Sequence, residues 1–240
     1  MRIPRSYRRF GHGAILLVVL WIACAKPEPS IRPGVNDEYK TTDVDEWVGR
    51  FESESREIFR ERQRIMQAAG VRAGMVVADV GAGSGFFTEM FAREVGEKGR
   101  VFAADITPEF LKRIEEKTQR QRLSNVTTVL STERDSKLPA NTVDLVFICD
   151  TYHHFEYPKS TLASIRRAMK PGGMLVVVDF DRVPGKSRPW VLDHVRAGKE
   201  VVRSEIEEAH FRLVDEPATP FLTENYVLRF RKWPRGRGKN

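Results

Sequence analysis

The stretch VVADVGAGSGFFTEM, residues 76 to 90, constrains the fold more than any other part of the sequence. A short run of β-forming residues is followed by glycines at alternate positions, Gly81, Gly83 and Gly85, and then by a helical pattern. Glycines let a backbone turn tightly and approach a ligand closely. A strand that passes through such a turn into a helix is typical of an α/β sheet, and it predicts a ligand site at the turn.

Further β-rich runs alternate with segments that have room for helices. The strand candidates are 75–80, 100–105, 125–130, 143–149 and 173–180, with two edge strands predicted at 211–216 and 225–232. Continuous apolar strands separated by helices indicate a parallel sheet that is covered on both faces. One or two amphipathic helices are predicted between Asp43 and Ala69. The sequence therefore predicts a doubly wound, mostly parallel, seven-stranded α/β sheet with an N-terminal helical extension.

The glycine pattern itself narrows the ligand. Phe86 stands where a dinucleotide fingerprint has its third glycine, and the Lys-Ser/Thr pair of a phosphate loop is missing. What remains is Asp-x-Gly-x-Gly-x-Gly from Asp79 to Gly85, which resembles motif I of the class I S-adenosylmethionine-dependent methyltransferases. Asp105 at the end of the second strand, DTYHHF after the fourth strand and MKPGGMLVVVDF also resemble that family. The resemblance covers residues 44–232 and is nearest to a bacterial subgroup of predicted methyltransferases that share YHHF and often carry an export signal.

The resemblance implies a Rossmann-like class I methyltransferase fold with S-adenosyl-L-methionine as cofactor. The glycine turn would hold the amino-acid end of the cofactor, while Asp105 would accept hydrogen bonds from its ribose hydroxyls. For Asp105 a role in capping the helix after Thr107 stays open, and for Ile106 simple core packing does. The predicted cofactor-binding residues are Asp79, Gly81, Ala82, Gly83, Gly85, Asp105, Ile106, Thr132 and Asp150.

The predicted catalytic residues follow the fourth strand: Tyr152, His153 and His154. A histidine with a pKa near neutrality suits removal of a proton from a hydroxyl or an amine. On extended chain the two adjacent histidines would point in opposite directions, so only one is expected to face the pocket, and a structural role for either stays open. No metal site is predicted, because adjacent histidines rarely reach one ion and no third ligand is evident.

A lid is expected after the fifth strand, in residues 181–200. Its His194 and Arg196 are predicted to contact an anionic acceptor, although a solvated loop would have the same composition. The sequence thus predicts an enzyme that moves a methyl group to a small-molecule or lipid-like acceptor. The alternative is a non-catalytic protein that binds S-adenosylmethionine or a nucleoside on the same fold. A nicotinamide-dependent reductase is a third reading, which Phe86 disfavours.

The net charge of +7 belongs to the two ends of the chain and leaves the remainder mildly acidic, so nucleic acid is not an expected partner. Residues 1–24 combine four arginines, an apolar run and Cys24, and they predict a signal peptide or membrane anchor that resembles a lipoprotein signal. We predict a linker at 25–42, a methyltransferase domain at 43–233 and a basic tail at 234–240. We therefore expect a membrane-associated protein, and the resemblance to a lipoprotein signal indicates an exported lipoprotein. A catalytic domain that remains in the cytosol is the open alternative, because S-adenosylmethionine is made in the cytosol. Oligomeric state is not predicted.

Overall fold

The computed structural model describes residues 27–40, 43–53 and 56–234. The predicted signal peptide or anchor at 1–24 lies outside the described residues, as does the predicted tail apart from its first residue. Among the helices that are described, none combines the length and the apolar character needed to cross a membrane.

A single seven-stranded sheet forms the centre of the described chain, in the order β3-β2-β1-β4-β5-β7-β6. Its strands are β1 (Val76–Val80), β2 (Arg100–Asp105), β3 (Val126–Leu130), β4 (Val143–Cys149), β5 (Met169–Phe180), β6 (Phe211–Asp215) and β7 (Asn225–Lys232). The pairs among β1 to β5 are parallel, whereas β7 runs antiparallel to both β5 and β6. The doubly wound fold and its seven strands are confirmed. Only one of the two predicted edge strands lies at an edge, because β7 inserts between β5 and β6.

Helices cover both faces of this sheet and precede it at the N-terminus. They are α1 (Asp37–Lys40), α2 (Val44–Phe51), α3 (Glu57–Arg60), α4 (Arg62–Ala69), α5 (Phe86–Val95), α6 (Pro108–Arg120), α7 (Pro158–Ala168), α8 (Pro189–His194) and α9 (Lys199–Glu208). Proline stands at the start of α6, α7 and α8, where its missing N–H costs no hydrogen bond. Gly70 ends α4 in the left-handed conformation, as the sequence indicates.

The core has two layers because alternate residues of each strand point to opposite faces of the sheet. In β4, Val146 and Ile148 pack in one layer. Leu145 and Phe147 pack in the other layer, where α4 and α5 cover the sheet. Burial on both faces explains why the central strands are continuously apolar. The carboxyl ends of the parallel strands therefore meet at one edge of a well-buried sheet, which is where such folds bind ligands.

Residues 27–40, within the segment predicted as a linker, lie against the body of the protein. The Glu28 carboxylate accepts hydrogen bonds from two backbone N–H groups in the first turn of α7, at 2.9 and 2.8 Å. An acidic side chain is favourable at that position because the helix N-terminus carries partial positive charge. Asn36 is buried, and its amide donates to the carbonyl of His154 at 3.2 Å. Polar composition suggested a solvated linker, but these polar groups bind the domain.

Candidate functional site

The glycine turn between β1 and α5 needs glycine for both conformation and space. Gly81, Gly83 and Gly85 have φ of 75°, 51° and 75°, in the region that side chains disfavour. A Cβ on Gly81 would lie 2.2 Å from the Thr151 side chain, and one on Gly85 would lie 2.6 Å from Ile114. The turn is thus packed tightly between the end of β4 and helix α6.

Asp105 joins this turn to the end of β2. Its Oδ2 accepts a hydrogen bond from the Gly83 N–H at 2.9 Å, and its Oδ1 accepts one from the Thr107 N–H at 2.9 Å. The capping role that the sequence left open is therefore present, and the Thr107 side chain makes no capping bond of its own. Burial raises the pKa of Asp105, against the effect of these N–H donors. Each carboxylate oxygen has a further lone pair, so capping and ligand binding are compatible.

A cavity of about 1100 Å³, counted with its open mouth, lies over the glycine turn. It is lined by eight of the nine predicted cofactor-binding residues: Asp79, Gly81, Ala82, Gly83, Asp105, Ile106, Thr132 and Asp150. The ninth, Gly85, begins α5 and packs on Ile114 instead.

Ser84 also lines this cavity, although the sequence analysis did not select it. The side chain is buried, and its Oγ has no hydrogen-bond partner within the described residues. An unpaired buried hydroxyl is costly, so a ligand that bonds to it is favoured. The sequence could have indicated Ser84 as a site residue, because it lies between Gly83 and Gly85 in the glycine motif.

Asp79 gives the cavity acidic character. It is 3% exposed, and Thr88 donates its hydroxyl proton to Oδ2 at 2.6 Å. Burial raises the pKa of Asp79 to about 7, and the neighbouring charge of Asp105 adds to that rise. A cationic ligand would stabilise the ionised form of this carboxyl group.

Asp150 stands at the end of β4 in a strained conformation, with φ of 46°. Its carboxylate pairs with Arg56 and accepts a hydrogen bond from the Asn225 amide at 2.7 Å. Burial raises the pKa of Asp150 to about 6, while the Arg56 guanidinium opposes that rise. Arg56 and Asn225 were not predicted, because they lie far from Asp150 in the sequence.

A second cavity adjoins the first and has a volume of about 1870 Å³ by the same measure. Both cavities are lined by Tyr39, Phe51, Arg56, Ile58, Asp150 and His154. The second is also lined by the aromatic side chains of Trp47, Phe180 and Trp190. A ligand in one cavity can therefore meet a ligand in the other at this shared boundary.

The histidines lie in a 3₁₀ turn, Tyr152–His154, and not on extended chain. Both His153 and His154 consequently line the second cavity, with ring centroids 4.2 Å apart. His153 is 2% exposed, and its Nδ1 lies 2.6 Å from Oδ1 of Asp179. His194 reaches the same cavity from α8, and its Nε2 lies 3.3 Å from Nε2 of His154. The expectation that only one histidine faces the pocket is corrected by the tighter turn.

Tyr152 and Arg196 lie away from both cavities. Tyr152 is fully buried, and its hydroxyl donates to Oε2 of Glu205 at 2.8 Å. Arg196 donates to both carboxylate oxygens of Glu205, at 2.9 and 2.8 Å. The two residues pack the 3₁₀ turn against α9. Their predicted catalytic and acceptor-binding roles are therefore not supported, because their polar ends are directed into this internal contact.

Comparisons with known proteins agree with this geometry. Residues 78–177 match the model of a family described as a methyltransferase domain. A solved S-adenosylmethionine-dependent methyltransferase from Aquifex aeolicus is 28% identical, with a TM-score of 0.69 over 80% of this chain and 100% of that one. The described chain therefore shares the fold of a solved S-adenosylmethionine-dependent methyltransferase, and its residues 78–177 match a methyltransferase-domain family.

Curated proteins similar to this chain include ubiquinone/menaquinone biosynthesis C-methyltransferases. The one from a Marinomonas species is 34% identical over 133 residues, which are 55% of this chain and 53% of the relative. The one from Hydrogenovibrio crunogenus is 32% identical over 123 residues, 51% of this chain and 48% of the relative. The chain thus spans about half the length of the curated relatives that it matches.

S-adenosylmethionine is the methyl donor that this family implies, and the first cavity fits it. The cofactor carries an ammonium group, a sulfonium cation and ribose hydroxyls. The cavity offers the carboxylates of Asp79 and Asp105, the backbone of the glycine turn and the unpaired Ser84 hydroxyl. A buried acidic lining suits a cationic ligand, and the hydroxyl of Ser84 gains a partner when the cavity is filled. We expect these residues to hold the cofactor.

Binding of S-adenosylmethionine should become stronger as the pH rises through about 7. Because the pKa of Asp79 is raised to about 7, its carboxyl group is half protonated near neutrality and gains its attractive charge above that pH. If only the ionised form binds well, affinity should increase about 10-fold between pH 6 and pH 8. Calorimetric titration at both pH values measures this change. The Asp79→Asn variant should lose it, and an unchanged slope in that variant would assign the effect to another group.

Proposed function

We propose that this protein transfers a methyl group from S-adenosylmethionine to a small, planar and largely apolar acceptor in the second cavity. The observation that carries the proposal is the shared boundary of the two cavities, at which Asp150 and His154 line both. When bound, S-adenosylmethionine supplies an electrophilic methyl group on its sulfonium centre. The protein contributes alignment, exclusion of water and a group that can accept a proton.

The lining of the second cavity supports an aromatic acceptor with an ionisable hydroxyl. Trp47, Phe180 and Trp190 offer flat apolar surfaces, and aromatic side chains pack well on planar ligands. The named relatives are C-methyltransferases, which favours carbon as the methylated atom. The family match ends at residue 177, before Phe180 and α8, so the acceptor itself is inferred from the cavity.

The two histidines of the 3₁₀ turn are suited to accept a proton from such a hydroxyl. Burial lowers the pKa of both His153 and His154, so each imidazole is neutral and can accept a proton, and an acceptor hydroxyl of low pKa suits so weak a base. His154 is the better placed, because it lines the boundary between the cavities. The Arg56–Asp150 ion pair lines the same boundary.

Release of S-adenosylhomocysteine tests the proposed function. The full chain is incubated with S-adenosylmethionine and a panel of phenols, enols and quinols that includes long-chain members, and the product is measured by mass spectrometry. Acceptor-dependent release, with a matching mass increase in the acceptor, supports the proposal. Tight cofactor binding without release from any acceptor would favour the second candidate, a non-catalytic S-adenosylmethionine-binding protein. One observation favours that candidate: the buried acidic lining of the first cavity suits cofactor binding and does not require methyl transfer.

A His153→Ala, His154→Ala double variant should lose about 100-fold in turnover, because the proton acceptor is removed. Cofactor binding should change little, since the carboxylates and backbone of the first cavity remain. His210→Asn is the matched control: it removes an exposed imidazole at the start of β6 and keeps a residue that tolerates its φ of 63°. Equal turnover in the double variant and the control would show that neither His153 nor His154 takes part in the reaction.

A lipid-like acceptor and a membrane location also belong to the proposal. Both rest on the predicted signal peptide or anchor in residues 1–24, which lies outside the described residues. The long-chain members of the acceptor panel test the first of them directly.

A further inference from the structure

Three histidine side chains from two separate segments meet at the wall of the second cavity. They are His153 and His154 of the 3₁₀ turn and His194 at the end of α8. One ring nitrogen of each lies within 4.8 Å of those of the other two. We propose that this cluster, here called the histidine triad, is a binding site for a divalent transition-metal ion of the Zn²⁺ class.

The separation of the ring nitrogens suits such an ion. Nε2 of His154 and Nε2 of His194 lie 3.3 Å apart. Two nitrogens bound tetrahedrally to one Zn²⁺ at about 2.0–2.1 Å are separated by roughly 3.4 Å. The third nitrogen, from His153, lies within 4.8 Å of the other two, so the rings must move somewhat closer together to share one ion. Imidazole nitrogens are also the ligands that zinc and its neighbours in the transition series prefer.

Asp179 supports the third ligand as carboxylates support metal-binding histidines. Its Oδ1 accepts from Nδ1 of His153 at 2.6 Å, which fixes the tautomer and directs the lone pair of Nε2 away from the carboxylate. The backbone N–H groups of His153 and Phe180 donate to the same carboxylate, at 3.1 and 2.7 Å, and hold it in place. A buried carboxylate oriented in this way also compensates positive charge at the triad.

The electrostatic setting is compatible with a cation. A divalent ion binds the neutral form of each imidazole, and the buried carboxylate of Asp179 lies in contact with this set. Arg32 and Arg196 are opposing charges. The Arg32 guanidinium, however, is engaged with the carbonyl oxygens of His194 and Asp193, and that of Arg196 with the Glu205 carboxylate. Without a metal ion, the contact between His154 and His194 is a hydrogen bond that shares one proton.

Three histidine ligands leave one position of a tetrahedral ion for another group, which is the arrangement of catalytic zinc sites. The triad lines the second cavity, so that position is open to an acceptor there. An acceptor hydroxyl bound to the ion would lose its proton to solvent while its oxygen remains coordinated, because the ion lowers its pKa. This role rests on the proposed function, whereas metal binding itself does not require it.

Co²⁺ titration of the chelator-treated full chain tests the site without any cofactor or acceptor. We expect one equivalent of Co²⁺ to bind with the visible bands of a tetrahedral complex, and Zn²⁺ to displace it. His154→Ala and His194→Ala should each weaken binding at least about 10-fold, and Asp179→Asn about 10-fold through loss of the oriented ligand. The His210→Asn control should bind like the original chain.

Circular dichroism of each variant establishes that it is folded, and the half-buried His194 is the substitution least able to disturb packing. Absence of a tetrahedral Co²⁺ spectrum in the folded chain would overturn the proposal and leave a hydrogen-bonded histidine pair. Equal affinity of the His194→Ala variant and the original chain would overturn it as well. Because no methyl donor is present, either result is independent of whether the protein proves to be a methyltransferase.

Discussion

Asp105→Asn should weaken binding of S-adenosylmethionine by at least about 100-fold. Both oxygens of the Asp105 carboxylate accept backbone N–H bonds, from Gly83 and from Thr107. An amide can accept at only one of these positions, and its NH₂ group would face an N–H donor at the other. The rotated or displaced side chain would then no longer meet the two ribose hydroxyls expected to donate to it. Because hydrogen bonds to a charged group contribute about 1.5–3 kcal/mol each, loss of those two corresponds to 100-fold or more in Kd. Calorimetric titration of the full chain measures the loss.

Glu109→Gln is the matched control for this prediction. Glu109 lies in the first turn of α6, four residues from Asp105, but its side chain is exposed. Its replacement removes one carboxylate charge near the site without touching the glycine turn, so affinity should change less than about threefold. Similar losses in the two variants would mean that general acidity, and not the Asp105 contacts, holds the cofactor. Binding that survives in folded Asp105→Asn would contradict the assigned site.

The cofactor half of the site was predictable because its signals are local. Gly81 and Gly83 adopt a backbone conformation that other residues resist, so the presence of glycine at these positions indicates the turn. Asp105 ends a strand beside that turn, and parallel strands place their carboxyl ends together. Eight predicted residues therefore line one cavity. Their contacts with a cofactor remain predictions.

The acceptor half was less predictable because it depends on where side chains point. Tyr152 and His153 are adjacent, yet one is directed to α9 and the other to the second cavity. The sequence does not show that a 3₁₀ turn replaces extended chain there, and this turn brings His153 and His154 to the same cavity. His194 joins them only through the position of α8, which long-range packing determines.

The structure of the N-terminal segment, residues 27–40, was also not predictable from the sequence, for a different reason. Its prolines and charges predict a linker, since such residues bury little apolar surface. Here the charges bind backbone groups: Glu28 caps α7, and Arg134 donates to the carbonyl of Glu28 at 2.9 Å. Tyr39 then contributes to the boundary between the two cavities. Polar composition does not distinguish a solvated segment from one whose polar groups have partners in the protein.

Glu57→Ala should destabilise the protein by about 3–5 kcal/mol. The Glu57 side chain is buried at the start of α3, and its carboxylate accepts four hydrogen bonds from the residues that lead into and begin β7. The donors are the N–H and hydroxyl of Thr223, the N–H of Glu224 and the N–H of Asn225. Alanine leaves these donors unpaired, and each unpaired buried group costs about 1–3 kcal/mol, partly relieved by entering water. For a domain of this size, the melting temperature should fall by about 10 °C.

Glu61→Ala provides the comparison, because Glu61 lies one turn further along and, among the described residues, forms surface ion pairs with Arg60 and Arg64. Exposed ion pairs contribute at most about 1 kcal/mol, so the melting temperature of the Glu61→Ala variant should change by no more than about 4 °C.

The larger effect of Glu57→Ala should extend to the site, since Asn225 also donates to Asp150 at the boundary between the cavities. Loss of Glu57 frees Asn225 and, with it, one of the two partners that hold Asp150 in its strained conformation. We therefore expect weaker cofactor binding at temperatures where the variant is still folded. Reduced stability with unchanged binding would show that the N-terminal helices support the fold without shaping the site.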